Sequence, residues 1–172
     1  MKKVFALMML AISLLMSSAY AAEEYTTKEE KQMHQEFTTV FARGAKNDAY
    51  AKYFVGQSHL NMLSLEQVVI GNVTFEPGCR NNWHIHHADK GGGQILLVTG
   101  GRGCYQEWGK EARELLPGDV VNIPAGVKHW HGAAPNSWFA HLAIEVPGEN
   151  TRNEWCEPVA EKEYNALKQY IM

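Results

Sequence analysis

Short segments in the middle of the 172-residue chain alternate between apolar and polar positions. Glycine and proline lie in the gaps between these segments, and no helical pattern separates them, so this part of the chain is predicted to form strands joined by turns. Consecutive strands without intervening helices favour an all-β antiparallel sandwich or barrel, of which the double-sheet jelly roll is one form. The predicted strands are residues 66–75, 94–99, 102–108, 111–116, 120–123 and 138–146.

Both ends of the chain have apolar residues at helical spacing. Residues 27–43 have them at three- and four-residue intervals, and Gly44 suits the end of a helix. Residues 159–171 have a similar apolar side, and Pro158 stands near the start. We therefore predict an N-terminal and a C-terminal helix that pack on the β-rich middle.

The first 21 residues have a different pattern. Two lysines precede an apolar run over residues 4–16, and the small-residue pattern Ala19-Tyr20-Ala21 follows. This order is typical of a signal peptide that is removed on export. An uncleaved membrane anchor is the alternative, but the run is shorter than the ~20 apolar residues that span a bilayer. We therefore expect a periplasmic or secreted protein that has no contact with the membrane after cleavage.

Composition limits the number of domains and the class of partner. A chain with 45% hydrophobic and 20% charged residues fills one ordinary core at this length. Its 16 basic and 19 acidic residues give a formal charge of −3, and removal of Lys2 and Lys3 leaves −5, which argues against nucleic acid as a partner. The predicted organisation is a signal peptide (1–21), an N-terminal helix and arm (22–65), one barrel (66–146) and a C-terminal extension with a helix (147–172).

Three cysteines follow the predicted signal peptide, namely Cys79, Cys104 and Cys156. An oxidising compartment can pair two of them and leave one free thiol. The spacing of the three residues does not say which two would pair, so each pairing stays open.

The predicted chemical function rests on histidines. In Trp83-His84-Ile85-His86 the two imidazoles are two residues apart, which places them on the same face of an extended chain, where they can share one metal ion. Lys128-His129-Trp130-His131 repeats this interval, and the side-chain oxygen of Gln94 is a candidate third ligand. One isolated pair of histidines is more often a surface or core feature, but two pairs beside strands favour a metal site.

These residues belong to two motifs in which the chain resembles the cupin superfamily, as a small single-domain type-2 member. The resemblance implies a double-stranded β-helix, the jelly-roll barrel of cupins, in which His84, His86, Gln94 and His129 meet around one divalent metal ion. The first motif contains Gly78, His84-x-His86, Gln94 and Gly101, and the second contains Gly118, Pro124-x-Gly126 and His129.

Two features depart from the usual cupin pattern. Most cupins have glutamate where this chain has Gln94, and a neutral amide leaves the ion its full double charge as a Lewis acid. Seven residues, 87–93, separate the histidine pair from Gln94, where three or four are common. The triple glycine within them is predicted to form a flexible insertion. This spacing keeps open the alternative that His87 or Asp89 replaces Gln94 as a ligand.

A narrower resemblance is to the small manganese-dependent cupins that act as hydroxynitrile lyases, and to cupins associated with carboxymuconolactone decarboxylase domains. It rests on residues 74–78, 128–135 and 141–144. The resemblance implies a lyase in which a metal assists cyanohydrin cleavage while His141 exchanges the hydroxyl proton; an imidazole, which titrates near ~6.5, is suited to that role. A structural histidine bonded to backbone is the alternative for His141, and His131 is expected in the cavity as a supporting or alternative base.

The leading hypothesis is therefore a metal-dependent lyase that acts on a small carbonyl-derived substrate, with cyanohydrin cleavage or formation as the specific reaction. Manganese is the favoured cofactor, and iron, nickel, cobalt and zinc suit the same donors. The alternatives are a metal-dependent dioxygenase or isomerase, and a non-catalytic periplasmic module that binds a small ligand. Tyr53-Phe54-Val55 offers an apolar arm for exchange between chains, so a homodimer is predicted.

Overall fold

The structure of the protein is a computed structural model that describes residues 37–167. Every element below belongs to one compact unit, which begins at Thr38. Besides a 3₁₀ helix, Asp48–Tyr53, and an α-helix, α1, Glu161–Ala166, the described elements are strands. The strands are β1 (Ala45–Lys46), β2 (Phe54–Val55), β3 (Ser58–Ser64), β4 (Ile70–Phe75), β5 (Arg80–Asn81), β6 (His84–His87), β7 (Lys90–Gly91), β8 (Gln94–Gly101), β9 (Gly103–Glu107), β10 (Arg113–Leu115), β11 (Val120–Ile123), β12 (Lys128–Ala133), β13 (Phe139–Glu145), β14 (Gly148–Glu149) and β15 (Arg152–Trp155).

Two antiparallel sheets form the double-stranded β-helix, which confirms the predicted fold class. One sheet has the strand order β1-β3-β4-β13-β8-β11. The other has the order β10-β9-β12-β5-β2, and in it β6 pairs with both β12 and β15. Alternate side chains of β8 are buried, as expected for a strand with one face toward a core. The largest buried side chains of this core include Phe75, Leu96, Val98, Leu115, Ile123 and Phe139.

The predicted strands of the barrel are present, with ends that differ by a few residues. Residues 120–123 form β11 as predicted. Five strands lie outside the predicted barrel of residues 66–146: β1, β2 and β3 precede it, and β14 and β15 follow it. The segment Arg152-Asn153-Glu154-Trp155 has no apolar alternation, because β15 has one apolar residue and pairs with β6 at an edge. The sheets therefore extend further along the chain, on both sides, than the alternation indicated.

The predicted N-terminal helix over residues 27–43 is wrong for its described part. Residues 37–43 contain no α-helix, and residues 27–36 lie outside the described residues. The side-chain amides of Asn61 and Asn72 both donate to the carbonyl oxygen of Ala42, at 3.2 and 3.0 Å, and hold this segment in a non-helical course beside β3 and β4. Tertiary hydrogen bonds have overridden the local periodicity.

Gly44 does not end a helix but marks a close approach of the backbone to β3. Its φ is +84°, and a Cβ atom there would lie 2.2 Å from the carbonyl oxygen of Leu60. An L-residue would meet both a strained conformation and a backbone clash. Glycine therefore lets the chain enter β1 beside β3.

The predicted C-terminal helix exists but is shorter than residues 159–171 within the described residues. It begins at Glu161, after Ala160 in extended conformation, and residues 168–172 lie outside the described part. The hydroxyl group of Tyr164 donates to the carbonyl oxygen of Ala133 at 2.7 Å, and the buried Arg80 pairs with Glu161 at 2.7 Å. These contacts attach the helix to β12 and β5, as a structural cover.

A second apolar cluster lies beneath this helix. Trp83 and Trp130 are buried there beside Cys104, on the side of the sheet opposite the adjacent histidines. In the part of the chain that the structure describes, no helix is long and apolar enough to cross a membrane.

The predicted arm pairs within the chain. Phe54 and Val55 form β2, which is hydrogen-bonded to β5 of the same chain.

The three cysteines are free thiols in the structure. Burial raises the pKa of both Cys79 and Cys104 to about 12, so these two thiols are protonated at neutral pH.

Candidate metal centre

Three buried histidines converge at the junction of β6 and β12. His84 and His129 are directly opposite each other in the strand register, and their ring centroids are 4.1 Å apart. His86 is on the same face of β6, two residues along. One ring nitrogen from each histidine lies within 4.8 Å of the other two, so this triad can hold a metal ion. The pairing of the two strands thus brings together residues that are 45 positions apart in the sequence.

The hydrogen bonds of the triad fix which ring nitrogen faces the site. Nδ1 of His84 contacts the carbonyl oxygen of Asn82 at 2.9 Å, and Nδ1 of His129 contacts that of Val127 at 2.9 Å. Nδ1 of His86 lies 3.0 Å from a carboxylate oxygen of Glu145. A carbonyl or carboxylate oxygen only accepts, so each Nδ1 carries the proton and each Nε2 has a free lone pair. This tautomer is the one that histidine ligands adopt in metal sites.

Several acceptor atoms at the site receive no hydrogen bond from the described residues. Nε2 of His86, Nε2 of His129 and Oε1 of Gln94 are buried without a hydrogen-bond partner among residues 37–167. A buried polar atom without a partner costs about 1–3 kcal/mol. A cation is the group that satisfies several converging lone pairs at once, so these residues fit a divalent metal ion.

Gln94 is positioned by the neighbouring strand. It opens β8 opposite Glu145 of β13, and its amide nitrogen donates to Oε1 of that carboxylate at 3.2 Å. The alternative ligands have other partners: Nε2 of His87 lies 2.8 Å from Glu154, and a carboxylate oxygen of Asp89 accepts from Asn150. Of the described histidines and carboxylates, only those of the triad form a metal-binding group, so the geometry favours Gln94 as the fourth donor.

The triple glycine returns the chain to the site through a defined turn. Lys90–Gly91 forms β7, which pairs with β14. Gly93 has a φ of +92°, and a Cβ atom there would lie 2.2 Å from the carbonyl oxygen of Ile123. The longer segment between His86 and Gln94 therefore contributes a strand to a small two-stranded sheet. Gly93 allows the close backbone contact that lets β8 begin at Gln94, beside the histidines.

Burial keeps His84 and His129 in the form that binds a metal. Removal from water lowers the pKa of His84, and the neighbouring His129 and His86 lower it further. Burial is also the main cause that lowers the pKa of His129 to about 4. Both rings are thus neutral at pH 7, and a neutral imidazole is required for metal coordination.

The site lies in the wall of a cavity of about 450 Å³ that opens between the two sheets. One part of its lining is polar and includes three of the four candidate donors, while the rest is mainly apolar. The polar lining includes Asn81, His84, His86, Gln94, His131 and Glu145. The apolar lining includes Phe54, Leu60, Met62, Val69, Val73 and Trp155.

Two further buried histidines stand beside the triad. His131 lines the cavity, whereas His141 is fully buried and is not one of the described lining residues. Nδ1 of His131 lies 3.1 Å from Nε2 of His141. The sequence predicts that His141 faces the cavity and that His131 lies in it as a supporting or alternative base. The structure places His131 in the cavity lining and His141 behind it. Burial is the main cause that lowers the pKa of both rings, that of His141 to about 4.

Asn81 fixes the ring of His131 from the other side. Its side-chain oxygen accepts the backbone N–H of His131 at 2.9 Å, so its NH₂ group is directed at the imidazole, 3.0 Å from Nε2 and 3.2 Å from Nδ1. Because an amide nitrogen donates, it contacts an imidazole nitrogen that accepts. His131 is thus held between a donor, Asn81, and a second imidazole, His141.

Three residues of the site were missed by sequence reasoning: Asn81, Glu145 and Trp155. The signal for Glu145 was present, because alternation along β13 places His141, Ala143 and Glu145 on one face. No pattern identified Trp155, whose ring stacks on that of His84 with centroids 4.8 Å apart.

Comparisons with known proteins agree with this geometry. The cupin domain family matches residues 71–141 of the chain. The chain is 45% identical over 93 residues to an (R)-mandelonitrile lyase from Granulicella tundricola, a match that covers 54% of this chain and 68% of that protein. It is also similar to the crystal structure of a cupin-like protein from Thermotoga maritima, with a TM-score of 0.64 and 40% identity over 74% of this chain and 95% of the other. The chain therefore belongs to the cupin family and is related to an (R)-mandelonitrile lyase.

Proposed function

We propose that the protein is a metal-dependent lyase that cleaves and forms cyanohydrins, with mandelonitrile as the substrate to test. The observation that carries the proposal is the convergence of unpartnered donor atoms of His86, His129 and Gln94 beside a cavity whose lining includes the imidazole of His131. The relation to an (R)-mandelonitrile lyase supports this choice of reaction.

The donor set suits one divalent ion per chain. His84, His86 and His129 contribute neutral nitrogens, and Gln94 contributes a neutral oxygen. A divalent ion held by these donors supplies a Lewis acid that stabilises negative charge on a substrate oxygen. We propose manganese first, and iron, nickel, cobalt and zinc as ions that the same nitrogen and oxygen donors accept.

His131 has the role of proton acceptor in this proposal. It lines the cavity, and burial lowers its pKa, so its ring is neutral. To accept the hydroxyl proton of a cyanohydrin, its Nε2 exchanges the hydrogen bond from Asn81 for one from the substrate O–H. The contact with His141 lets the positive charge created on His131 spread over two rings. When the hydroxyl proton has left, the carbon–cyanide bond breaks with its electron pair on cyanide, and the same proton converts cyanide to hydrogen cyanide.

The apolar part of the cavity receives the rest of the substrate. Phe54 and Trp155 contribute aromatic rings, and Met62 and Val73 contribute aliphatic surface. A cavity of about 450 Å³ holds a phenyl ring with a small polar group, within the range of ordinary ligand sites. An aryl cyanohydrin therefore places its ring against this wall and its oxygen toward the histidines.

The first experiment is elemental analysis of untagged protein that begins at Ala22 and is purified without chelators. The comparison is a variant with both His84→Ala and His129→Ala. About one manganese or iron per chain, lost in the variant, is expected. Mandelonitrile cleavage, followed by the absorbance of benzaldehyde, is then measured on both proteins, and only the wild type should be active.

The same assay separates the other reactions. Substrate-dependent oxygen uptake would replace the lyase by a dioxygenase, and conversion to an isomer without loss of cyanide would indicate an isomerase. A loaded protein that binds small anions but turns over no cyanohydrin would be a binding module. The absence of stoichiometric metal from the wild type would contradict all metal-dependent alternatives.

Localisation and assembly are proposed on the sequence alone. Cleavage after Ala21 would deliver the protein to the periplasm or the medium, and N-terminal sequencing of the exported chain tests this. A homodimer is also proposed, although β2 pairs within its own chain. Light scattering that gives the mass of a single chain at micromolar concentration would contradict the dimer.

A further inference from the structure

One carboxylate contacts two of the four candidate donors. Oε2 of Glu145 lies 3.0 Å from Nδ1 of His86, and Oε1 lies 3.2 Å from the amide nitrogen of Gln94. The contact with Gln94 joins opposite residues of neighbouring strands, since Glu145 in β13 is in register with Gln94 in β8. Each oxygen of the carboxylate therefore contacts one candidate donor residue. The other polar atom of each residue, Nε2 of His86 and Oε1 of Gln94, is left for the metal site.

We infer that Glu145 is the positioning residue of the metal centre, because it sets the orientation of both His86 and Gln94 toward the ion. Most cupins have a negative charge at the metal in the form of a glutamate ligand. Here the carboxylate of Glu145 provides a negative charge behind the donors instead. This inference rests on the metal site of the proposed function and not on the identity of the substrate.

Gln94 has an amide that can present either of two atoms to the site. A carboxylate has no proton to donate, so the amide atom that faces Glu145 must be the NH₂ group. The oxygen of Gln94 is then directed away from Glu145, and it is buried without a partner among the described residues. Glu145 thereby selects the amide rotamer that offers a lone pair to a cation rather than two N–H groups.

The same carboxylate selects the tautomer of His86. It accepts the proton on Nδ1, which leaves Nε2 as the atom with a free lone pair. Partners of this kind orient histidine ligands and raise their basicity. One side chain thus fixes the donor atom of both an imidazole and an amide.

The charge of Glu145 acts at a distance and is partly screened. Its side chain is 38% exposed, and it lies between the main cavity and a second cavity of about 230 Å³ that is also lined by His86. Solvent therefore weakens its field at the ion. The orientation of the two donors is expected to be the larger effect, and loss of such a partner weakens metal binding by about 10–100-fold.

The test is the substitution Glu145→Gln, which keeps the shape and removes the charge. The new amide can still accept from His86 with its oxygen, but its NH₂ group then faces the NH₂ group of Gln94. Gln94 must turn its oxygen away from the ion to relieve this contact. The dissociation constant for Mn²⁺, measured by competition with a fluorescent chelator, should rise by about 10–100-fold. The visible absorption spectrum of Co²⁺-loaded protein should also change, because an oxygen donor is lost.

A second substitution makes the test specific. In the background Gln94→Glu, the change Glu145→Gln places an NH₂ donor against a carboxylate and an oxygen against the Nδ1–H of His86, so every hydrogen bond has a partner. The cost of Glu145→Gln should therefore fall to less than about threefold in this background, since contacting residues deviate from additivity. An equal cost in both backgrounds would mean that charge alone acts and would overturn the positioning role.

Glu154→Gln is the matched control. Glu154 also bonds a histidine, His87, at 2.8 Å, and the substitution removes the same charge, but the wild-type affinity for Mn²⁺ should remain. Urea unfolding of each metal-free variant checks that the fold is intact. An unchanged Mn²⁺ affinity of Glu145→Gln in protein that cleaves mandelonitrile would overturn this inference alone. Tight Mn²⁺ binding that depends on Glu145, in protein without cyanohydrin activity, would support it while the proposed reaction fails.

Discussion

Nδ1 of His131 and Nε2 of His141 are 3.1 Å apart, so the two imidazoles are hydrogen-bonded to each other across β12 and β13. Only the first of the two rings lines the cavity, and the second is fully buried beside Phe75 and Phe139. In the proposed mechanism a proton from the substrate is accepted at His131, and His141 stabilises the resulting charge from behind. His131 is then the ring of the pair that contacts the substrate.

The substitution His131→Ala should abolish most of the activity without loss of the metal. The expected decrease in kcat for mandelonitrile cleavage is about 10²–10⁴-fold, the usual contribution of a positioned base. Elemental analysis should still find about one ion per chain, because His131 is not one of the triad. His87→Ala is the matched control, since that ring contacts Glu154 rather than the cavity. A normal kcat in His131→Ala would contradict the role of the residue.

The fourth donor can be identified by metal affinity. Gln94→Ala should weaken Mn²⁺ binding, because it removes a buried oxygen that has no other partner in the described chain. Removal of one ligand or its partner is expected to cost at least about 10–100-fold in affinity. His87→Ala and Asp89→Ala should bind Mn²⁺ as the wild type does, and a loss confined to either of them would restore the alternative ligand.

Strand alternation explains how much of the site could be predicted. His84 and His86 share a face because they are two residues apart, and His129 and His131 share one for the same reason. These pairs come together because β6 and β12 are adjacent, which the cupin motifs implied and which the register of His84 with His129 shows. Periodicity alone predicted strands and faces, but it did not predict which strands are neighbours.

The depth at which each inward-facing histidine lies within the barrel could not be predicted from strand alternation. His131 and His141 both face inward, and alternation does not say which one reaches the cavity. The register of β13 against β8 shifts between Ala140 and His141, an irregularity that changes the course of the strand at this position. Asn81 and Trp155 were missed because their roles depend on contacts with residues distant in the sequence, namely His131 and His84.

The stability of the metal-free protein should depend on pH through this buried pair. Burial lowers the pKa of His141 from 6.5 to about 4, and it also lowers the pKa of His131. Between about 6.5 and 4 the unfolded chain binds protons that the folded chain does not, so the free energy of unfolding decreases as the pH falls through this window. Above about 6.5 both states are neutral at these residues, and this contribution is constant.

Urea unfolding of chelator-treated protein at about pH 7.5 and about pH 5.5 measures this effect. The midpoint should be lower at the more acidic pH, and His141→Gln should reduce the difference because the substituted side chain does not titrate. Equal midpoints for the wild type at the two pH values would show that the buried imidazoles are not held neutral.

Trp155 should determine the preference for aryl substrates. Its ring stacks on Tyr53, with centroids 4.5 Å apart and planes inclined by 7°, and it forms part of the cavity wall. A substrate phenyl group that packs against this ring gains about 0.5–1.5 kcal/mol beyond area burial. Trp155→Ala should therefore raise the KM for mandelonitrile by about tenfold, and it should change the KM for acetone cyanohydrin, which has no ring, much less.

Trp155 also supports a candidate metal ligand, so the two effects must be separated. Its ring is 4.8 Å from that of His84, and truncation could loosen the imidazole. Metal content measured on the same samples detects such a loss, and Trp155→Phe keeps an aromatic surface on both sides. If Trp155→Ala changes the KM of both cyanohydrins equally at full metal content, the ring supports the site in general and does not select the aryl group.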